Sequence, residues 1–99
     1  MNVNTENEHI LVCLSSSPSN KNIIFTASKM ANALQAQFTA LYVQTGARTR
    51  SEDKERLDEN IRFAEELGAE IVMTHGENVP LQISEYAQLS NVTEIVIGQ

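Results

Sequence analysis

Four short apolar runs alternate with three longer segments whose apolar residues recur every three to four positions, and few folds accept that order. The runs fall at about 10–14, 38–44, 70–74 and 93–97. Ile10-Leu11-Val12-Cys13-Leu14 is apolar without a break, as in a strand covered on both faces, and the second run is rich in aromatic and β-branched residues. The helical segments span about 18–35, 51–67 and 79–89, with inward stripes Ile23, Ala27, Met30, Ala31, Leu34, then Leu57, Ile61, Ala64, Leu67, then Ile83, Tyr86, Ala87. Ser17 or Ser19 is the expected cap of the first helix, Ser51 that of the second, and Gly68 suits the position just past the second helix.

A β-α-β-α-β-α-β chain of this kind makes right-handed crossovers and therefore a parallel sheet. The reading is an α/β domain over 9–99, an open parallel sheet with flanking helices in three layers and strand order 3-2-1-4. That order leaves a crevice between the ends of the first and fourth strands, where open α/β sheets take ligands. Residues 1–8 are polar and acidic, read as a disordered tail or linker. No helical segment follows the fourth run, so a final strand and helix are expected to lie outside these 99 residues.

Composition removes several function classes. Seven basic residues against thirteen acidic ones give a net charge of −6, without a basic stripe, so nucleic acid is not an expected partner. The single cysteine, Cys13, excludes an intramolecular disulfide and fits a reducing, cytoplasmic setting. His9 and His75 have no ligand-spaced partners, so no metal is expected. Neither a P-loop nor a G-x-G-x-x-G stretch is present, and no serine has a nucleophile's partners visible in sequence. The acids of the second helix, interleaved with Lys54, Arg56 and Arg62, read as a solvated, paired face. The domain is read as binding rather than catalytic.

Ser15-Ser16-Ser17 and Phe38-Thr39-Ala40-Leu41-Tyr42 are separated by twenty residues, 18 to 37. Serines ahead of a helix offer hydroxyls, N–H groups and the positive end of the helix dipole to a phosphate, with Lys21, Arg48 and Arg50 as nearby cations. They equally serve as plain helix caps. Phe38, Ala40 and Leu41 read as core, and Thr39 and Tyr42 as strand formers. The alternative reading places serines and strand at one edge of the sheet as halves of one site.

From His9 to Gly98 the chain resembles a universal stress protein domain, in the form embedded in the KdpD family of potassium-responsive sensor histidine kinases. The resemblance rests on the first apolar run with its serines, on Leu57 through Asn60, on Ala64-Glu65-Glu66-Leu67-Gly68-Ala69-Glu70, and on Asn91-Val92-Thr93-Glu94-Ile95-Val96-Ile97-Gly98. ATP-binding members carry an aspartate at the end of the first strand, where this chain reads Cys13-Leu14-Ser15, and a glycine-rich phosphate loop that Gly98 would open. A KdpD subgroup that binds cyclic di-AMP has instead the signature S-x-S, twenty residues, F-T-A-x-Y, and Ser15, Ser17, Phe38, Thr39, Ala40 and Tyr42 fill every specified position. The resemblance implies that these six bind the ligand, with Cys13, Leu14, Ser16, Arg48, His75 and Gly98 as further candidates. It implies no cofactor, cyclic di-AMP as ligand, and a cytoplasmic domain whose parent lies in the cell membrane. The remaining domains of the sensor kinase, free universal stress proteins and a second copy of the chain are the protein partners to expect. A nucleotide-independent docking module and an ATP-binding domain are the alternatives.

Overall fold

The computed structural model describes residues 8–98; the expected tail lies outside them for residues 1–7. The elements follow as β1 His9–Cys13, α1 Asn20–Leu34, β2 Gln37–Gln44, α2 Ser51–Glu66, β3 Glu70–His75, α3 Val79–Leu89 and β4 Glu94–Val96. All strand pairs are parallel and the order is β3-β2-β1-β4, as the sequence predicts.

Alternation along the strands divides the interior into two layers. Ile10, Val12, Leu14, Phe38 and Ala40 point to one face and pack with Ile24, Ala27 and Ala31 of α1 and Ala64 of α2. Leu11, Leu41 and Val43 point to the other, against Val79, Ile83 and Tyr86 of α3. β1 lies in the middle of the sheet, and Ile10, Leu11 and Val12 are completely buried, which explains the unbroken apolar run.

Local chemistry departs from expectation at several ends. Ser19 occupies the cap position of α1 but its side chain makes no capping bond; its hydroxyl instead meets that of Ser17 at 2.9 Å. α2 starts on Ser51 itself with Arg50 at its cap, and Glu52 and Asp53 oppose the positive end of the dipole. α3 has a true side-chain cap, Asn78 Oδ1 accepting from the Leu81 N–H at 3.1 Å. Gly68 follows α2 at φ +95°, a left-handed turn that glycine enters without a Cβ penalty.

Of the predicted α1 stripe, Ala27 and Ala31 are buried and Ile23 and Met30 pack against the core; Ile24, not predicted inward, is fully buried, and Leu34 is 39% exposed. On α2, Asn60 is buried within the apolar stripe. No residue of α3 is fully buried. β4 is one residue shorter at each end than its predicted run, although Thr93 still meets β1: its N–H donates to His9 O, and its hydroxyl oxygen accepts from the His9 N–H, both at 2.9 Å.

Candidate functional site

The chain leaves β1 after Cys13, and one more ladder bond, Leu14 N–H to Leu41 O at 2.8 Å, carries it to the serines. Two buried asparagines then fix the turn. Asn20, at the start of α1, accepts from the Ser15 N–H at 3.2 Å through Oδ1 and donates through Nδ2 to Cys13 O at 3.1 Å. Asn60, from α2, donates through Nδ2 to Ser15 O at 2.8 Å and Ser17 O at 3.2 Å. One turn earlier on α2, Arg56 donates to Ser16 O at 3.1 Å and pairs with Asp53 at 3.3 Å. The loop is thus built before any ligand arrives, which lowers the ordering cost of binding.

That scaffold changes what the serines offer. The Ser15 and Ser17 N–H groups are both taken within the fold, the second by Ser15 Oγ at 3.1 Å, so the turn is not a cradle of open amides. The Ser15 hydroxyl only accepts within the fold and keeps its proton to donate, whereas the Ser17 and Ser19 hydroxyls share a hydrogen bond at 2.9 Å. Ser15 and Ser16 face a hollow of about 380 Å³ above the C-terminal ends of β1 and β2. Leu41, Tyr42 and Val43 form its floor, Thr45, Arg48 and Thr49 its loop wall, Asp53 and Leu57 its α2 wall, and Val79 and Ile83 its α3 wall. Its size is that of a small-molecule site. Arg48 makes no ion pair among the described residues, whereas Asp53 is held by Arg56, so the unmatched charge at the hollow is positive.

An adjoining hollow of about 220 Å³ lies at the crevice between β1 and β4 and shares Cys13, Leu14 and Ser15 with the first. Ser17, Asn20, Ile23 and Gly98 also line it, and a methyl group added at Gly98 would collide with Ile23. Burial pushes the Cys13 thiol up to about 11, so it faces both hollows as a neutral group.

Of the residues singled out in sequence, Cys13, Leu14, Ser15, Ser16, Tyr42 and Arg48 line the larger hollow, and Ser17 and Gly98 the smaller. Phe38, Thr39 and Ala40 line neither: they are 9%, 0% and 0% exposed. In a parallel pair the start of one strand lies beside the start of the other; Phe38 pairs with Ile10, Thr39 with Leu11 and Ala40 with Val12. The expectation that the whole F-T-A-x-Y stretch and the serines meet at one edge is therefore narrowed: its last two residues, Leu41 and Tyr42, reach the serine edge, and Phe38, Thr39 and Ala40 lie deeper in the sheet. Thr39 also points to the opposite face from its neighbours, where its hydroxyl bonds His9 Nε2 at 2.8 Å. His9 Nδ1 donates to Ser90 O at 2.9 Å, so the ring is held from both nitrogens, by Ser90 on one side and Thr39 on the other.

His75 is exposed at the end of β3, beside Gln44, and lines neither hollow. Lys21 pairs with Glu59 at 3.7 Å, and Arg50 occupies the position before α2, without a side-chain capping bond, and does not line the hollow. Sequence reasoning missed Asn20, Asn60 and Arg56. For Asn60 a signal existed: an amide among the inward residues Leu57, Ile61 and Ala64 has to find a partner. Among the described residues no group of three or more His, Cys, Asp or Glu side chains could hold a metal, and no helix is long and apolar enough to cross a membrane.

No family model matches the chain. Over 92 residues, 93% of its length, it is 48% identical to a stretch of the sensor protein KdpD of Clostridium acetobutylicum. It is 28% identical to a stretch of the same length in the sensor protein KdpD of Escherichia coli. The chain spans about a tenth of the length of these relatives. A solved universal stress family protein from Burkholderia pseudomallei superposes with a TM-score of 0.73 at 18% identity, covering 99% of this chain and 85% of that one. The universal stress protein of Archaeoglobus fulgidus in complex with dAMP matches at 0.62 and 24% identity, over 92% of this chain and 80% of that one. The fold is thus that of the universal stress proteins.

Proposed function

We propose that this chain is a regulatory, nucleotide-binding domain of a KdpD-type sensor histidine kinase, and that its ligand is cyclic di-AMP. The observation that carries the reading is the hollow where Ser15, Tyr42 and Arg48 converge at the C-terminal edge of the sheet. It combines a hydroxyl, an aromatic ring and an unmatched cation, the groups that suit a ribose-phosphate and a base. A universal stress protein solved with dAMP shares the fold, and the 48% identical relative is a sensor protein. In this reading Ser15, Ser17, Tyr42 and Arg48 touch the ligand, and Phe38, Thr39 and Ala40 hold the strand beneath it. The domain performs no chemistry. Cyclic di-AMP alters kinase output, and through it potassium-uptake signalling, by binding two signalling states unequally. The parent kinase is membrane-bound and this domain faces the cytoplasm.

ATP is the weaker nucleotide because β1 runs into Cys13-Leu14-Ser15 with no carboxylate to hold a ribose. A different reading, docking of a protein such as a free universal stress protein, is favoured by an apolar hollow of about 600 Å³ between α3 and β4, with Ile95 and Ile97 on its rim. Calorimetric titration with cyclic di-AMP, cyclic di-GMP and ATP separates the readings. The proposal expects saturable binding selective for cyclic di-AMP, weakened in Ser15→Ala/Ser17→Ala. A folded chain that gives no heat with cyclic di-AMP overturns it, and a stable nucleotide-free complex with a universal stress protein establishes the docking role.

A further inference from the structure

Tyr42 lines two hollows. Besides the serine-edge hollow, it borders a groove of about 360 Å³ between α2 and the outer half of the sheet. Leu57 is shared in the same way, so the two spaces are neighbours of nearly equal size, about 380 and 360 Å³, with a common aromatic and aliphatic wall. The second space is not simply a gap in packing. Met73, paired with Tyr42 in register, is 51% exposed there, an apolar side chain left half bare on a strand. Gln44, Asp58 and Lys54 stand around it.

We infer that this groove is the seat of a second purine base, so that the domain binds a ligand with two bases, one on each side of the Tyr42–Leu57 wall. The inference rests on the nucleotide-binding reading above and extends it to a subsite. A purine needs a flat apolar bed and a few edge partners. Tyr42, Leu57 and Met73 supply the bed, with aromatic and sulfur contacts to a π face. Gln44 carries the amide that can pair with adenine through N6 and N7, and Asp58 offers a further acceptor for an exocyclic amine. Cations accompany the path: Arg48 lines the first hollow and Lys54 the second, so a phosphodiester link between the bases passes positive charge at both ends. A mononucleotide fills only one of the two spaces.

The test is NMR titration of the chain with 13C-methyl methionine and 15N labels, using cyclic di-AMP and 5′-AMP as probes. The Ser15 and Ser16 amides report the serine edge, and the Met73 methyl reports the groove. The expected result is that cyclic di-AMP shifts both sets of signals, and that Gln44→Ala weakens cyclic di-AMP about tenfold, the scale of a lost bidentate base contact. The Gln44 side chain is exposed, so that variant should keep the fold. If cyclic di-AMP moves the serine amides while the Met73 methyl stays in place and Gln44→Ala binds as wild type, the second subsite is overturned and the serine-edge reading stands. If cyclic di-AMP moves neither set on a folded chain, the nucleotide-binding reading itself fails.

Discussion

Asn60 and Ser15 are 45 positions apart in sequence and joined at 2.8 Å, the amide of one helix donating to the carbonyl of a loop that belongs to another crossover. The same Nδ2 reaches Ser17 O at 3.2 Å, and the residue is 1% exposed, so water cannot take over either role. The shape of the serine turn is therefore written partly in α2.

Replacing this donor should be costly. Asn60→Ala leaves two loop carbonyls with a lost partner in a buried place and opens a small void. The expected loss is about 2 kcal/mol, within the range for buried groups deprived of a hydrogen bond. Chemical denaturation reads it as a lower midpoint at unchanged slope. A midpoint equal to wild type would show that the loop holds its shape without α2.

Thr39 separates a structural from a ligand role. Thr39→Val keeps the shape and removes the hydroxyl that bonds His9 Nε2. Stability should fall by about 1 kcal/mol, the usual net worth of one hydrogen bond. Cyclic di-AMP affinity of the folded chain should stay unchanged, because Thr39 is fully buried below the hollow. A variant of normal stability whose affinity drops would place Thr39 against the ligand instead.

Cys13 gives a prediction in pH. Its thiol is raised to about 11 by burial, above the ordinary value. Between the unfolded and folded values the folded state holds the extra proton. The stabilising contribution is thus complete below the ordinary thiol value and is lost as pH rises through about 11. At pH 8 alkylation, which needs the thiolate, should run about a hundredfold slower than for a free cysteine. Mass-spectrometric timing with iodoacetamide checks this; labelling at the free-cysteine rate would mean that the strand end is open to water.

Most of the sheet was legible because burial on both faces of β1 and helical periodicity between the runs are local signals. The parallel pairing followed from the alternation of strands and helices, and the order 3-2-1-4 from the pattern of open α/β sheets. What sequence could not supply was the depth of each residue along its strand. Phe38 and Tyr42 are close in sequence and lie on the same face, yet one is beside Ile10 at the base of the sheet and the other at the serine edge. Register decides that difference, and register emerges only when strands pair. The asparagines that hold the turn were hidden for a related reason. Asn20 lies at a helix start where a polar residue attracts no notice, and Asn60 on a helix crowded with charges. Both act on backbone groups outside their own helix, Asn20 on the turn just before it and Asn60 on a loop 45 positions away, which periodicity does not see.

Because β1 lies between β2 and β4, it obtains its second neighbour only after α1, β2, α2, β3 and α3 have been made. Its partners on that flank are Glu94, Ile95 and Val96, and His9 waits for Ser90 and Thr93 over the same interval. A nascent chain emerging from the ribosome therefore carries a bare edge on β1 until β4 has been translated. Such an edge is an open template for pairing with other chains. Point changes at Glu94 or Val96, which line none of the hollows described, should thus show first as aggregation during expression.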